Sequence, residues 1–370
     1  MRDASVEERE YEATLAEQTR RIDKRPISGG LHIAIFASAL GLAAGASAIA
    51  GRAAQGIAVR FQLGTIEALL EAVFMLFLVV VGFRALDWAA AGGRRGSEVV
   101  SLPRRRGWAT EWGVGAATGW GLCLVAVLPL LLTGNLHAKI VPGSAGNWIA
   151  SIGLTVLTLA VGTLTLEVVF RGYPFRRLMD AIGPSWAAVV TSVLFGGLLV
   201  WSNPPRHVLT ALVDCTLVGL LLAMAYLRTH ALWVGWGLSF AYRVVSAVVL
   251  GLPFAGQDEF GSIANTYVSG PRWLTGGAFG LEAALWTGVA LLGAMIVLFR
   301  ATKEYEWRYT HPEIVPAGYE VEIAPPAAHV AMETAAAPPP LVQILSTTPQ
   351  TRSRMDAPEL DAAGNLLPPL

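Results

Sequence analysis

The chain has 370 residues, 54% hydrophobic and 15% charged, with a formal net charge of zero and a mean hydropathy of +0.52. Apolar residues in such long blocks exclude an ordinary soluble domain and point to a polytopic membrane protein. The neutral balance offers nothing to nucleic acid, and the two cysteines, Cys123 and Cys215, lie inside apolar runs without the spacing of a thiolate metal site.

Residues 1–30 are rich in Glu and Arg and read as a charged cytoplasmic segment, closed by Pro26 and Gly29-Gly30. Its polar opening has no apolar region of the kind a signal peptide needs. Eight candidate spans follow, at about 31–50, 63–83, 112–133, 148–170, 185–202, 207–227, 231–252 and 279–300. Each is near the ~20 residues that cross a bilayer as a helix. Asn203-Pro204-Pro205 breaks the chain after the fifth span, so the fifth and sixth are placed as a tight helical hairpin. Residues 31–300 thus form the transmembrane domain. Residues 301–370 turn Pro- and Ala-rich and read as a largely disordered cytoplasmic tail.

Basic residues set the expected orientation. They cluster before the first span (Arg20, Arg21, Lys24, Arg25), after the second (Arg84, Arg94, Arg95, Arg104, Arg105, Arg106), after the fourth (Arg171, Arg176, Arg177) and after the eighth (Arg300, Lys303, Arg308). Arg228 alone votes after the sixth. The intervening loops are poorer, which places both termini in the cytoplasm, with a bacterial plasma (inner) membrane as the expected location.

The fourth span ends in Leu166-Glu167-Val168-Val169-Phe170-Arg171-Gly172-Tyr173-Pro174-Phe175-Arg176-Arg177-Leu178. A carboxylate at the end of an apolar helix is costly unless paired or solvated, so Glu167 is a candidate site residue. Arg171, four residues on, shares its helix face in the favourable order for an ion pair. Two readings stay open on these residues alone: a functional site, or a pair that only neutralises itself at a helix end.

This stretch resembles the first motif of the CPBP family, intramembrane metallo-endopeptidases related to the type II CAAX prenyl proteases and to bacteriocin self-immunity (Abi) proteins. That motif is Glu-Glu-x-x-x-Arg. Glu167 matches its second Glu and Arg171 its Arg, while Leu166 stands where the first, water-activating Glu is expected. The family's second motif, Phe-x-x-x-His, maps onto Phe195 and Leu199, so Leu replaces the His. The third, His-x-x-x-Asn, maps onto Ser239 and Arg243 within Leu232-Trp233-Val234-Gly235-Trp236-Gly237-Leu238-Ser239-Phe240-Ala241-Tyr242-Arg243. The resemblance covers about residues 110–250 and implies an all-α, CPBP-like bundle of about eight transmembrane helices. It carries over only Glu167 and Arg171 as catalytic positions. Leu166, Leu199, Ser239 and Arg243 are the substituted ones.

Other ionisable residues need weighing. His32, His137, His207, His230, His311 and His329 show no ligand spacing, so a rebuilt two-histidine site is not expected. Glu67 and Glu71 lie one turn apart in the second span, either facing water or a cation, or sitting near an interface because the span starts later. Asp214 and Glu282 fall in or beside the sixth and eighth spans, and Arg243 lies well inside the seventh. A permanent cation inside a bundle calls for an anion. A charged network of Glu167, Arg243 and Asp214 across the former active site is therefore expected.

The resulting expectation is a CPBP-like membrane protein without peptidase activity that binds a peptide, a membrane protein or a lipid-linked partner in the old cavity, in a self-immunity-like role. The first alternative is an active intramembrane metallo-endopeptidase, which would need zinc; otherwise no cofactor is expected. The second is a small transporter or channel built on Glu67, Glu71, Asp214 and Arg243. Membrane lipid is the surrounding partner in every case.

Overall fold

The computed structural model describes residues 28–90, 99–103, 105, 107–142, 145–257 and 261–303. The charged N-terminal segment, the Pro/Ala-rich tail and the basic residues at 94, 95, 104 and 106 lie outside the described residues. All the described residues belong to the unit Met1–Thr310.

Helix α1 (Gly29–Phe61) starts at Ser28, whose hydroxyl accepts the Leu31 N–H, and stops at Gln62 in the left-handed region, φ 55°. Its inner face is a row of small residues, with Ala39, Ala43, Ala46, Ala50 and Ala54 buried. Small residues at this spacing let backbones approach closely in a membrane. That face packs on α2 (Glu67–Ala90), where Gly82 lies against the Leu42 side chain with no room for a Cβ.

Helix α3 (Trp108–Leu132) is joined by strand β1 (Leu136–Ile140) to α4 (Ala145–Arg171). Gly172 ends α4, and the chain restarts as the short helix α5 (Tyr173–Ile182), with Pro174 in its first turn. A side chain at Gly172 would run into the Val168 carbonyl. Helices α6 (Pro184–Ser202) and α7 (Val208–Thr229) form the expected hairpin across the Pro-Pro turn. Helix α8 (Trp233–Arg243) continues as a π-helical turn over Val244–Val249. Strand β2 (Ala264–Val268), a single helical turn α9 (Arg272–Thr275), two short 3-10 turns and α10 (Leu285–Ala301) complete the unit.

All eight expected spans are present as helices. Six are long and apolar enough to cross a membrane alone; α8 with its π-turn and α10 are shorter, spanning Trp233–Val249 and Leu285–Ala301. At 1.5 Å per residue, a 17-residue helix covers about 25 Å, short of a ~30 Å hydrocarbon core. The chain flanking these two helices is buried, with Leu252 and Phe254 after the π-turn and Phe279, Leu281, Glu282 and Ala283 in the 3-10 turns before α10, and irregular backbone enclosed in protein is tolerated at membrane depth.

Alternate loops share a face. Arg177 of α5 donates to Asp87 at the end of α2 (2.8 Å), and His32 of α1 lies 3.7 Å from Asp180. Arg105 donates to the Thr229 carbonyl (2.7 Å), the Trp233 indole to Pro103 O (3.0 Å), and Arg228 Nε to Thr302 Oγ1 beyond α10 (2.6 Å). These contacts collect the start of α1, the α2–α3, α4–α6 and α7–α8 junctions and the end of α10 on one side, the junction face. On the opposite side β1 and β2 pair antiparallel, Leu136 opposite Val268 through Ile140 opposite Ala264. The loops after the third and seventh spans are thus tied together on this ribbon face. Sequence reasoning missed the ribbon, because five-residue strands between apolar helices carry no legible period.

Candidate functional site

The last five residues of α4, 167–171, are all buried. Arg171 is fully buried and Glu167 is 2% exposed. Arg171 Nη1 lies 3.7 Å from Glu167 Oε1, while Nη2 donates to the Gly219 carbonyl of α7 at 3.0 Å. The guanidinium sits 4.5 Å over the Phe195 ring and 5.8 Å from that of Phe170. Three retained motif residues, Glu167, Arg171 and Phe195, therefore form one contact cluster joining α4, α6 and α7. A guanidinium stacked on aromatic rings suits a low-dielectric interior better than an ammonium would.

The other oxygen of Glu167 faces α8. A Cβ built on Gly235 would come within 2.8 Å of Oε2, so the absent side chain at 235 makes the space for the carboxylate. Gly235 also lies on a helix held very close to α3. Gly115 and Gly119 of α3 touch the Val234 and Leu238 backbone, and Gly237 touches Trp112 O, each with no space for a Cβ. Gly235 stands in the third motif frame, but nothing in the sequence marks it as the partner of Glu167.

A cavity of about 30 Å³ lies between α3, α6, α7, α8 and α10. Three of the substituted positions, Leu199, Ser239 and Arg243, line it together with Phe195, Tyr242, Phe254, Glu282 and Thr287. Such a volume holds about one or two waters. Leu166 turns elsewhere, half-buried against the hydrophobic core. The Ser239 hydroxyl donates within its own helix, to Gly235 O (3.0 Å) and Trp236 O (3.3 Å).

Arg243 needs a correction to the expected network. Its guanidinium stacks 4.1 Å over the Phe254 ring, and among the described residues no carboxylate oxygen lies within 4.0 Å of it. Neither Glu167 nor Asp214 pairs with it directly. The π-turn after α8 brings the chain back so that Phe254 lies beneath the guanidinium. Glu282 lines the same cavity as Arg243. Asp214 is buried against α10, its Oδ1 filling the space over Gly288 and its Oδ2 without a hydrogen-bond partner. Glu282 accepts the Ala255 N–H at 3.3 Å and leaves Oε1 unpartnered. Sequence reasoning noted Glu282 but did not place it here. The 3-10 turn Leu281–Ala283 before α10 carries it to the cavity.

The remaining candidates do not assemble. Glu67 is half-buried at the start of α2, and Glu71 is exposed beside Gly51 of α1; neither lines the cavity. His137 stacks on Tyr267 and its Nε2 lies 3.0 Å from Ser269 Oγ in the ribbon. His230 caps α7 in the left-handed region. Among the described residues no group of three His, Cys, Asp or Glu side chains is placed to hold a metal ion. The family's metal therefore does not fit these residues: a leucine, a hydroxyl bonded in its own helix and a guanidinium are not a donor set for zinc.

Residues 147–245 match the family model described as type II CAAX prenyl endopeptidase Rce1-like. That range begins in α4 and ends just past Arg243, enclosing Glu167, Phe195, Leu199 and Ser239. No curated protein and no solved structure matches the chain significantly.

Proposed function

The chain is a CAAX protease-like integral membrane protein with an Rce1-like segment at residues 147–245, and from that premise we propose that it does not hydrolyse peptides but binds a membrane partner. The observation that carries this reading is the small cavity of about 30 Å³ around Leu199, Ser239 and Arg243. Peptide hydrolysis at such a centre needs a base on water and an electrophile at the carbonyl. Glu167 is engaged by Arg171 and pressed against Gly235. No imidazole lines the cavity among the described residues.

The cavity is also too small for a peptide, which moves the binding place from the one the sequence suggested. A groove of about 410 Å³ lies between α3 and α10, lined by Gly121, Val125, Trp286, Val289 and Gly293 among others. Leu122 is common to this groove and the central cavity. An apolar segment of a peptide, a membrane protein or a lipid-linked molecule is the partner such a wall takes, in a self-immunity-like or maturation role. The junction face is assigned to the cytoplasm, since it gathers Arg84, Arg105, Arg176, Arg177, Arg228 and Arg300.

The test is cleavage of membrane-anchored peptide substrates by the purified wild type and by Glu167→Ala. We expect no cleavage that depends on Glu167, together with photocrosslinking of the partner from position 121 or 289. Cleavage lost in Glu167→Ala would establish the rival reading, an active metallo-endopeptidase.

A further inference from the structure

The ribbon face holds an open cup that the central site does not use. Its volume is about 510 Å³, within the range of small-molecule sites. The turn between α6 and α7 forms one wall, and the segment running from α9 through the 3-10 turns before α10 forms the other. Three basic side chains line it, Arg206, His207 and Arg272, and no carboxylate does among the described lining residues. All three are exposed, and none has a hydrogen bond or ion pair among the described residues.

Two further features favour an anion. His207 is the N-cap of the 22-residue helix α7 and makes no side-chain cap bond, and the first N–H to return to its carbonyl is that of Ala211. The positive end of that helix and its free first-turn N–H groups therefore open beside Arg206 and His207. On the other wall Gly277 leaves open space where a Cβ would sit. Trp201 (85% exposed) and Trp273 (60% exposed) flank the basic residues in the chain. Exposed indoles beside apolar helix ends mark the headgroup level of a bilayer. The cup thus lies where lipid phosphates lie.

We propose that Arg206, His207 and Arg272 form a receptor for a phosphate-bearing group at the ribbon-face membrane interface. Two guanidinium forks can each take two oxygens of one phosphate, and the imidazole and the α7 N-terminus supply further donors. The same chemistry serves a phospholipid headgroup or a soluble phosphate, and the position of the indoles favours the lipid. The receptor is separate from the central cavity and stands whether or not that cavity hydrolyses anything.

The test uses full-length protein in nanodiscs of phosphatidylcholine doped with phosphatidylglycerol, followed by native mass spectrometry of the retained lipid. Arg206→Gln/Arg272→Gln should cut retained phosphatidylglycerol by at least about tenfold, which the loss of even one charge-assisted contact would give. Arg206→Lys/Arg272→Lys should retain an intermediate amount. The control Arg60→Gln/Lys139→Gln removes two exposed charges from the same face outside the cup and should change nothing. A parallel arm follows the melting temperature in detergent with inorganic pyrophosphate. Stabilisation there that depends on Arg206 and Arg272, without lipid retention, assigns the receptor to a soluble phosphate. The proposal is overturned if the double Gln variant, eluting as a monodisperse protein, holds lipid and responds to pyrophosphate like the wild type. It is equally overturned if the control loses lipid to the same extent.

Discussion

The carboxylate of Glu167 on α4 occupies the space that a side chain at Gly235 on α8 would fill, with Oε2 only 2.8 Å from the Cβ position. One retained acid and one missing side chain thereby set how α4 and α8 meet. Gly235→Ala should destabilise the protein by about 1–3 kcal/mol, the usual cost of overpacking. Glu167→Ala in the same chain should recover part of that loss. Thermal melting of the single and double variants in one detergent reads the coupling, and independent effects would show that the two residues do not compete for space.

Arg171 should be the least replaceable charge in the bundle. Arg171→Met leaves the buried Glu167 without its cation and removes the contact to Gly219 O, a loss of about 3–5 kcal/mol for a broken buried pair. Arg171→Met with Glu167→Gln removes both charges and should be milder than Arg171→Met alone. Folded yield and melting temperature test the order, and a double variant no better than the single would separate Arg171 from Glu167.

Arg243 is held differently, over Phe254 and facing Glu282 across the cavity. Arg243→Ala should lower folded yield. Adding Glu282→Gln should restore part of it, because the uncompensated acid is the costly species. Adding Asp214→Asn should not. Rescue by Asp214→Asn instead would return Asp214 to the network.

Purified protein should hold less than stoichiometric zinc, since Leu199, Ser239 and Arg243 offer no imidazole or thiolate at the cavity. Elemental analysis after extraction without chelators is the measurement. Tightly bound zinc that disappears in Glu167→Ala would overturn the non-hydrolytic reading.

Reporter fusions after Ala145 and Gly261 should report the same side, outside the cytoplasm, and a fusion after Lys303 the cytoplasm. The β1–β2 pairing requires the first two to agree. A cytoplasmic signal after Gly261 would contradict both the ribbon and the eight-span topology.

Hydropathy alone located the apolar helices, and the three motif frames around Glu167, Phe195 and Ser239 indicated the Rce1-like segment at residues 147–245, because both are properties of neighbouring residues in one helix. The pairing of Glu167 with Arg171 was legible for the same reason, being an i,i+4 contact on one face. What surrounds those residues was not. Gly235 meets Glu167, Phe254 lies under Arg243, and Glu282 lines the central cavity from a short 3-10 turn before α10. Each of these is set by how separate helices cross and where the chain turns back. An acid partner for Arg243 could be demanded from charge balance, and Glu167 and Asp214 were the acids the sequence offered for it. Only the tertiary structure put the Phe254 ring rather than either carboxylate against Arg243, because in a bundle held by close backbone packing the position of a charge follows the crossing of the helices and the turns between them.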